Sequence, residues 1–180
     1  TGGSGTGANA AGISVRSSYF AAKFNGLEVS NSTGPGVFAL NGGAIQGNDW
    51  NLHNNGKEGF YLESAATIVD GLELSNNGDS GVHINDARYV YLSNLTSYDN
   101  AEAGMEFTKA NDIESSSGDV RCTHCTVLGN SRGVSITDSV DIYLTELNVH
   151  DPLSGSAIDI DNQGLNIGIQ GGLFNLHDVK

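Results

Sequence analysis

The sequence is poor in basic side chains and in proline. Its 180 residues include only eight lysines and arginines against 21 aspartates and glutamates, so the formal net charge at pH 7 is −13. Nucleic-acid binding depends on clustered cations that contact phosphates, and we therefore expect no nucleic-acid partner. No apolar run approaches the roughly 18 residues of a membrane-spanning helix, so we expect no membrane partner. With two prolines and no block of like charges, the composition is not that of a disordered tail.

Glycine is abundant, and much of it marks a repeat. The chain has 25 glycines, and a glycine followed by an apolar–x–apolar triplet recurs at intervals of 22 to 29 residues. The copies begin at Gly12, Gly59, Gly81, Gly104 and Gly133, with a looser copy at Gly36 and with Ala157 in place of the glycine. A second pattern, apolar-x-x-apolar-x-apolar-x-x-Asn, runs in phase with the first, and Val69, Leu72, Leu74 and Asn77 are one example.

Leucine-rich repeats and parallel β-helices both have repeats of this length. A leucine-rich repeat needs an apolar residue two positions after the Asn, where this chain has charged residues, namely Lys57, Asp79, Glu102 and Arg132. The remainder of each repeat alternates with period two, as at 89–92 and 140–144, and this favours strands. The pattern predicts an all-β fold, a single-stranded parallel β-helix of about seven coils. Each coil has three short strands and 22–24 residues, with one longer coil at 104–132. We expect a flexible lead-in at 1–11 and a β-helix domain at 12–180, as a segment of a longer protein.

Alternation assigns the inward side chains of each coil. The residue after each glycine is expected to stack in the core, and these residues are Phe60, Val82, Met105, Val134 and Ile158. The glycines are expected at corners with positive φ. A hydrogen-bonded side-chain ladder is expected from asparagines near one turn, Asn31, Asn54, Asn76 and Asn100.

The two cysteines fall at inward positions on either side of a corner. Cys122 aligns with Leu92 and Leu144, and Cys125 aligns with Leu95 and Leu147. This leaves a short-loop disulfide and a pair of buried thiols as alternatives. A zinc site would need two further ligands.

The repeat resembles that of the pectate-lyase-like superfamily, which includes polysaccharide lyases, glycoside hydrolases, mannuronan C5-epimerases and phage tailspikes. The resemblance implies a right-handed parallel β-helix whose outer strand face floors a substrate groove. It covers about residues 12 to 180 and specifies the scaffold rather than the chemistry. The Asp-Pro-His-Glu signature of the epimerases is absent, because Asp151-Pro152 is followed by Leu153.

The middle residue of each triplet points outward, which places Tyr61, His83 and Glu106 on successive coils about 4.8 Å apart. If the chain is catalytic, we expect His83 to act as the base, Tyr61 as the acid, and Glu106 as an orienting or charge-tuning group. This would suit β-elimination or epimerisation of a uronic acid. A polar ladder without catalysis is the alternative, and a glycoside hydrolase that uses Glu106 and Asp159 is the less favoured enzymatic one.

Further candidates surround this row. Glu63 and Asn85 lie in the next outward column, and Arg88 and Lys109 follow at the strand exits, so we expect these four residues to bind substrate. Asp159, Asp161 and Asn162 converge on the last full coil, where they are candidates for a calcium site or a solvated acidic patch. The insert near 111–118 is expected to bulge as a loop and to wall one side of the groove.

These observations favour an extracellular polysaccharide-binding module that is secreted, at a cell surface or on a virion, with or without cleavage of its ligand. The ligand expected is an acidic glycan, as for a tailspike or a lyase. The alternative is a catalytically silent structural segment of a fibre, adhesin or filament. A homotrimer and an end-to-end assembly are the two oligomers expected.

Overall fold

The computed structural model describes residues 10–16, 21–41, 44–110, 119–161 and 167–171. The regular elements within these ranges are fifteen β-strands. The described residues contain no helix that is long and apolar enough to cross a membrane. The predicted insert at 111–118 lies outside the described residues, as do Asn162 and most of the predicted lead-in.

The strands form two parallel sheets that run the length of the molecule. Sheet A has seven strands, in the order β1 (Ile13–Arg16), β4 (Val37–Leu40), β6 (Phe60–Glu63), β8 (Val82–Asn85), β10 (Ala103–Thr108), β12 (Arg132–Thr137) and β14 (Ile158–Asp161). Sheet B has eight, namely β15 (Ile167–Gln170), β13 (Ile142–His150), β11 (Val120–Leu128), β9 (Val90–Tyr98), β7 (Thr67–Ser75), β5 (Ile45–His53), β2 (Ala22–Asn25) and β3 (Glu28–Ser30). Successive coils stack in register, which confirms the predicted parallel β-helix of about seven coils.

Each long strand of sheet B is divided by a residue with positive φ. These residues are Asp49, Gly71, Asn94, His124 and Glu146, and the pairing register passes over most of them. In the first coil Gly26 separates β2 from β3, and both strands pair with β5. Sheet B therefore consists of two straight halves. Together with sheet A they give the three strand segments per coil that the repeat predicts.

The core consists of the inward-facing stacks. Phe60, Val82, Met105, Val134 and Ile158 pair in register on neighbouring strands, as predicted. The first four of them have no exposed surface, and complete burial of such a side chain contributes about 1.5–3 kcal/mol. Cys122 and Cys125 are also buried and form a disulfide bond across the bend at His124. The bond excludes both the free-thiol and the zinc alternatives.

The repeat glycines differ from the prediction. None of those preceding a sheet A strand in the described residues has positive φ, so the prediction of left-handed corners at these glycines is wrong. Glycine is needed at these positions because neighbouring coils approach too closely to leave room for a Cβ atom. A Cβ atom on Gly81 would overlap Ser97 Oγ and would lie 2.7 Å from the carbonyl oxygen of Gly104. The positive-φ corner positions are occupied mainly by asparagine and aspartate, which tolerate this conformation better than other side chains.

The interior ladder is also displaced from its predicted position. It consists of Asn55, Asn77, Asn100 and Asn130, whose side-chain amides donate to the next member at 2.9–3.0 Å. Asn100 was assigned correctly, but the prediction of Asn31, Asn54 and Asn76 is wrong by one residue. Those three have positive φ and exposed side chains, so the following residue is the one that faces inward.

Candidate functional site

The outward residues of sheet A form one continuous row, hereafter the outer row. Strand pairing aligns Tyr61 with His83 and His83 with Glu106, as the repeat predicts. The row also contains a residue that the sequence reasoning missed, Phe38, whose ring stacks in parallel on Tyr61 at 5.2 Å. The row continues from Glu106 to Ser135, with which it pairs. Phe38 and Ser135 are buried, whereas Tyr61, His83 and Glu106 are partly exposed. The accessible middle of the row is therefore three coils long.

Tyr61 is held by both residues predicted beside it. Its hydroxyl donates to Glu63 Oε2 at 3.3 Å and accepts from Asn85 Nδ2 at 3.0 Å. Burial raises the pKa of the Tyr61 hydroxyl above its usual value near 10.0, and the carboxylates of Glu63 and Glu58 act in the same direction against the bond from Asn85. Tyr61 therefore keeps its proton at neutral pH, as a proton donor must.

His83 lies between an aromatic ring and two carboxylates. Its ring meets the Tyr61 ring edge-on at 5.0 Å. Its Nδ1 lies 3.7 Å from Glu58 Oε1 and 4.0 Å from Glu106 Oε2, and its Nε2 lies 3.3 Å from Thr108 Oγ1. The side chains of His83 and Glu58 are 17% and 12% exposed. The ring nitrogen Nδ1 therefore faces two carboxylates, and Nε2 faces a hydroxyl.

Glu106 is oriented by a buried serine. Ser80 Oγ donates to Glu106 Oε2 at 2.7 Å and accepts from the backbone N–H of Ala103 at 3.3 Å. Since the Ala103 N–H occupies one lone pair of the hydroxyl, the hydroxyl proton is directed at the carboxylate. Sequence reasoning missed both Ser80 and Glu58, which lie in the corner before sheet A, where no alternation marks the direction of a side chain.

The remaining predicted residues lie around this centre without joining it. Arg88 lies at the corner after sheet A beside Asp86 and Tyr89, and Lys109 directly follows Thr108 and is exposed. Asp159 and Asp161 are both exposed on β14. Among the described residues no group of three His, Cys, Asp or Glu side chains is arranged to hold a metal ion. Because Asn162 lies outside those residues, the calcium site stays a prediction.

Residues 11–173 match the family described as the right handed beta helix region. The chain belongs to this family. Among solved structures, the right-handed β-helix is similar to the A-module of the mannuronan C-5 epimerase AlgE4 from Azotobacter vinelandii, with 15% sequence identity and a TM-score of 0.44. The match covers 86% of this chain and 62% of that module. No curated protein sequence matches the chain. Membership in the family confirms the scaffold, and the chemistry has to be argued from the side chains.

Proposed function

We propose that this β-helix is an extracellular polysaccharide-binding module that holds a glycan against the Tyr61–His83–Glu106 part of the outer row and transfers protons to and from it. One observation carries the proposal. A histidine that two carboxylates flank stands beside a protonated tyrosine on an accessible sheet face. A base and an acid in contact are what proton abstraction next to a carboxyl group requires.

The proposed reaction is β-elimination in a uronic acid unit. The His83 imidazole takes the proton from C5, and the electron pair of that C–H bond forms the C4=C5 double bond. The C4–O bond breaks, and the leaving oxygen takes the proton of the Tyr61 hydroxyl. Glu58 and Glu106 stabilise the imidazolium that forms, and Ser80 keeps Glu106 in place.

Charge is the main constraint on an acidic glycan at this site. Glu58, Glu63 and Glu106 already surround Tyr61 and His83. Arg88 and Lys109 are the lysine and arginine residues between residues 59 and 110, and they follow the strands that carry His83 and Glu106. We therefore propose that these two cations bind the carboxylates of the glycan.

A structural role is the second candidate, and one observation favours it. The Tyr61 hydroxyl bonds to both Glu63 and Asn85, and Glu106 bonds to Ser80. Polar groups that satisfy each other need no ligand, as in a stabilising ladder of a fibre or adhesin segment. A homotrimer or an end-to-end assembly would then be the functional form.

A polysaccharide panel separates the two candidates. Polygalacturonate, alginate, a β-glucan and a galactomannan are incubated with the protein, and the unsaturated-uronate absorbance, reducing ends and binding are followed. We expect product from an acidic glycan, and a loss of rate of about 100-fold or more in His83→Gln and Tyr61→Phe. His150→Gln changes a histidine of sheet B and serves as the control. Binding without product would refute the catalytic step, and absence of both would favour the structural role.

A further inference from the structure

We infer that a depression at the corner after sheet A binds one pyranose ring of the glycan, and this inference rests on the proposed glycan binding. The depression has a volume of about 360 Å³, within the range of small-ligand sites. We call it the corner depression, and the residues that line it are Ser64, Ala65, Ala66, Asp86, Arg88 and Tyr89.

The corner depression is connected to the outer row through Glu63 and Asn85. Tyr61 bonds through its hydroxyl to Glu63 and Asn85, which are the last residues of β6 and β8. Ser64 and Asp86 follow these two residues, and Ser64 Oγ donates to Asp86 Oδ2 at 3.1 Å. Ser64 and Asp86 are three residues from Tyr61 and His83, so they lie within about 10 Å of them, the length of three extended residues. A glycan at the row can extend into the depression.

Tyr89 adopts a backbone conformation that its side chain disfavours. Its φ is 56°, in the left-handed region, where a bulky aromatic residue is an outlier. Strand pairing makes Ala66, Tyr89, Asp119 and Asp141 equivalent on successive coils, because each precedes a paired sheet B residue. Asp141 has almost the same φ, 53°. The same backbone conformation is therefore available to aspartate on another coil, so the backbone alone does not explain an aromatic residue at this position.

The groups in the corner depression suit a hydroxyl-rich ring. The Tyr89 side chain is 46% exposed and offers an apolar ring surface for the C–H face of a pyranose. Asp86, held by Ser64, accepts hydrogen bonds from sugar hydroxyls, and the Arg88 guanidinium donates to sugar oxygens. Ala65 and Ala66 have small side chains that leave room for the ring. The Arg88 guanidinium binds the carboxylate of that ring, as the proposed function requires, while Asp86 and Tyr89 contact its hydroxyls and its C–H face.

Tyr89→Asn tests the inference, because asparagine keeps the left-handed backbone and removes the ring. Tetrasaccharides of the four panel glycans are titrated by calorimetry. We expect the affinity of the binding tetrasaccharide to fall about tenfold or more in Tyr89→Asn and in Arg88→Gln. The Tm of each variant is measured alongside, so that a loss of folding is not taken for a loss of binding. The matched control is Tyr98→Asn, which removes a sheet B tyrosine and should leave the affinity unchanged.

Changes in amide chemical shifts on addition of the tetrasaccharide distinguish the role of the outer row from that of the corner depression. Shifts at 64–66 and 86–89 together with 61, 83 and 106 would support both. Shifts at the outer row alone, with full affinity in Tyr89→Asn, would overturn the corner depression and leave the proposed function in place. Shifts at the corner depression alone would overturn the role of the outer row. Absence of binding by every tetrasaccharide would overturn both.

Discussion

At the scale of single residues, Asn76 and Asn77 are adjacent in the chain and have different surroundings. Asn76 is exposed and has positive φ. Asn77 is buried, donates to the Leu52 carbonyl and to Asn100 Oδ1, and accepts from the backbone and side-chain amides of Asn55. The first residue turns the chain and the second satisfies the polar groups of three coils.

Asn77→Ala should therefore lower the free energy of unfolding by about 3 kcal/mol, since it removes the acceptor of the buried Asn55 backbone N–H and the buried bonds from Asn77 to Leu52 and Asn100. Asn76→Gly keeps the left-handed turn and should change the free energy by less than about 0.5 kcal/mol. Urea denaturation measures both. Equal effects of the two substitutions would refute the assignment of the ladder.

Tyr61 makes stability depend on pH in the alkaline range. Its pKa is raised in the folded chain, chiefly by burial, whereas an unfolded tyrosine ionises near 10.0. The stabilisation is complete below the unfolded value and is lost as pH rises through the folded value, because the unfolded chain loses the proton first. The difference in unfolding free energy between the wild type and Tyr61→Phe should therefore be constant well below pH 10.0 and shift against the wild type as the pH rises above that value. A constant difference in urea titrations would contradict this.

At the scale of strands and corners, two glycines illustrate two separate requirements. Gly81 has an ordinary backbone but no room for a Cβ atom, and Gly26 has a φ of 61° with nothing within 4 Å of an added Cβ. Gly81→Ala should cost about 3 kcal/mol or more, since backbone and buried side chains would have to move. Gly26→Ala should cost about 1–2 kcal/mol, from the left-handed backbone alone. Thermal denaturation measures the loss of stability in each variant. A larger loss in Gly26→Ala than in Gly81→Ala would contradict the distinction between lack of space and backbone conformation.

Strands were predictable from the sequence, and corners were much less so. Alternation with period two fixes which residues face inward, and the pairing of Phe60 with Val82 and of Tyr61 with His83 follows from the spacing of the glycines. Corners have no such period. The ladder was therefore misplaced by one residue, and Glu58 and Ser80 were missed although both contact the outer row. Their positions depend on the path of the corner, which the repeat does not encode.

At the scale of the whole molecule, the excess of acidic residues opposes folding at low ionic strength. The formal charge of −13 is spread over 180 residues, and exposed pairs such as Lys57–Asp79 and His124–Glu146 offset little of it. The coils stack at short spacing, which brings carboxylates on neighbouring coils close together.

Screening by salt should therefore stabilise the protein. We expect the Tm to rise by a few degrees between about 10 mM and 150 mM NaCl. Choline chloride at equal ionic strength should have the same effect, which separates general screening from binding of sodium ions. A Tm that falls with salt would indicate that attractive ion pairs outweigh repulsion.

The buried disulfide has a consequence for the lifetime of the protein under reducing conditions. Cys122 and Cys125 have at most 1% of their surface exposed, and intact sheet surrounds them. Thiol exchange requires a thiolate to reach one sulfur directly, so glutathione can act only on molecules in which the surrounding strands have separated. The crosslink should therefore persist for as long as the surrounding strands stay closed, and its rate of loss in excess reductant would time that opening.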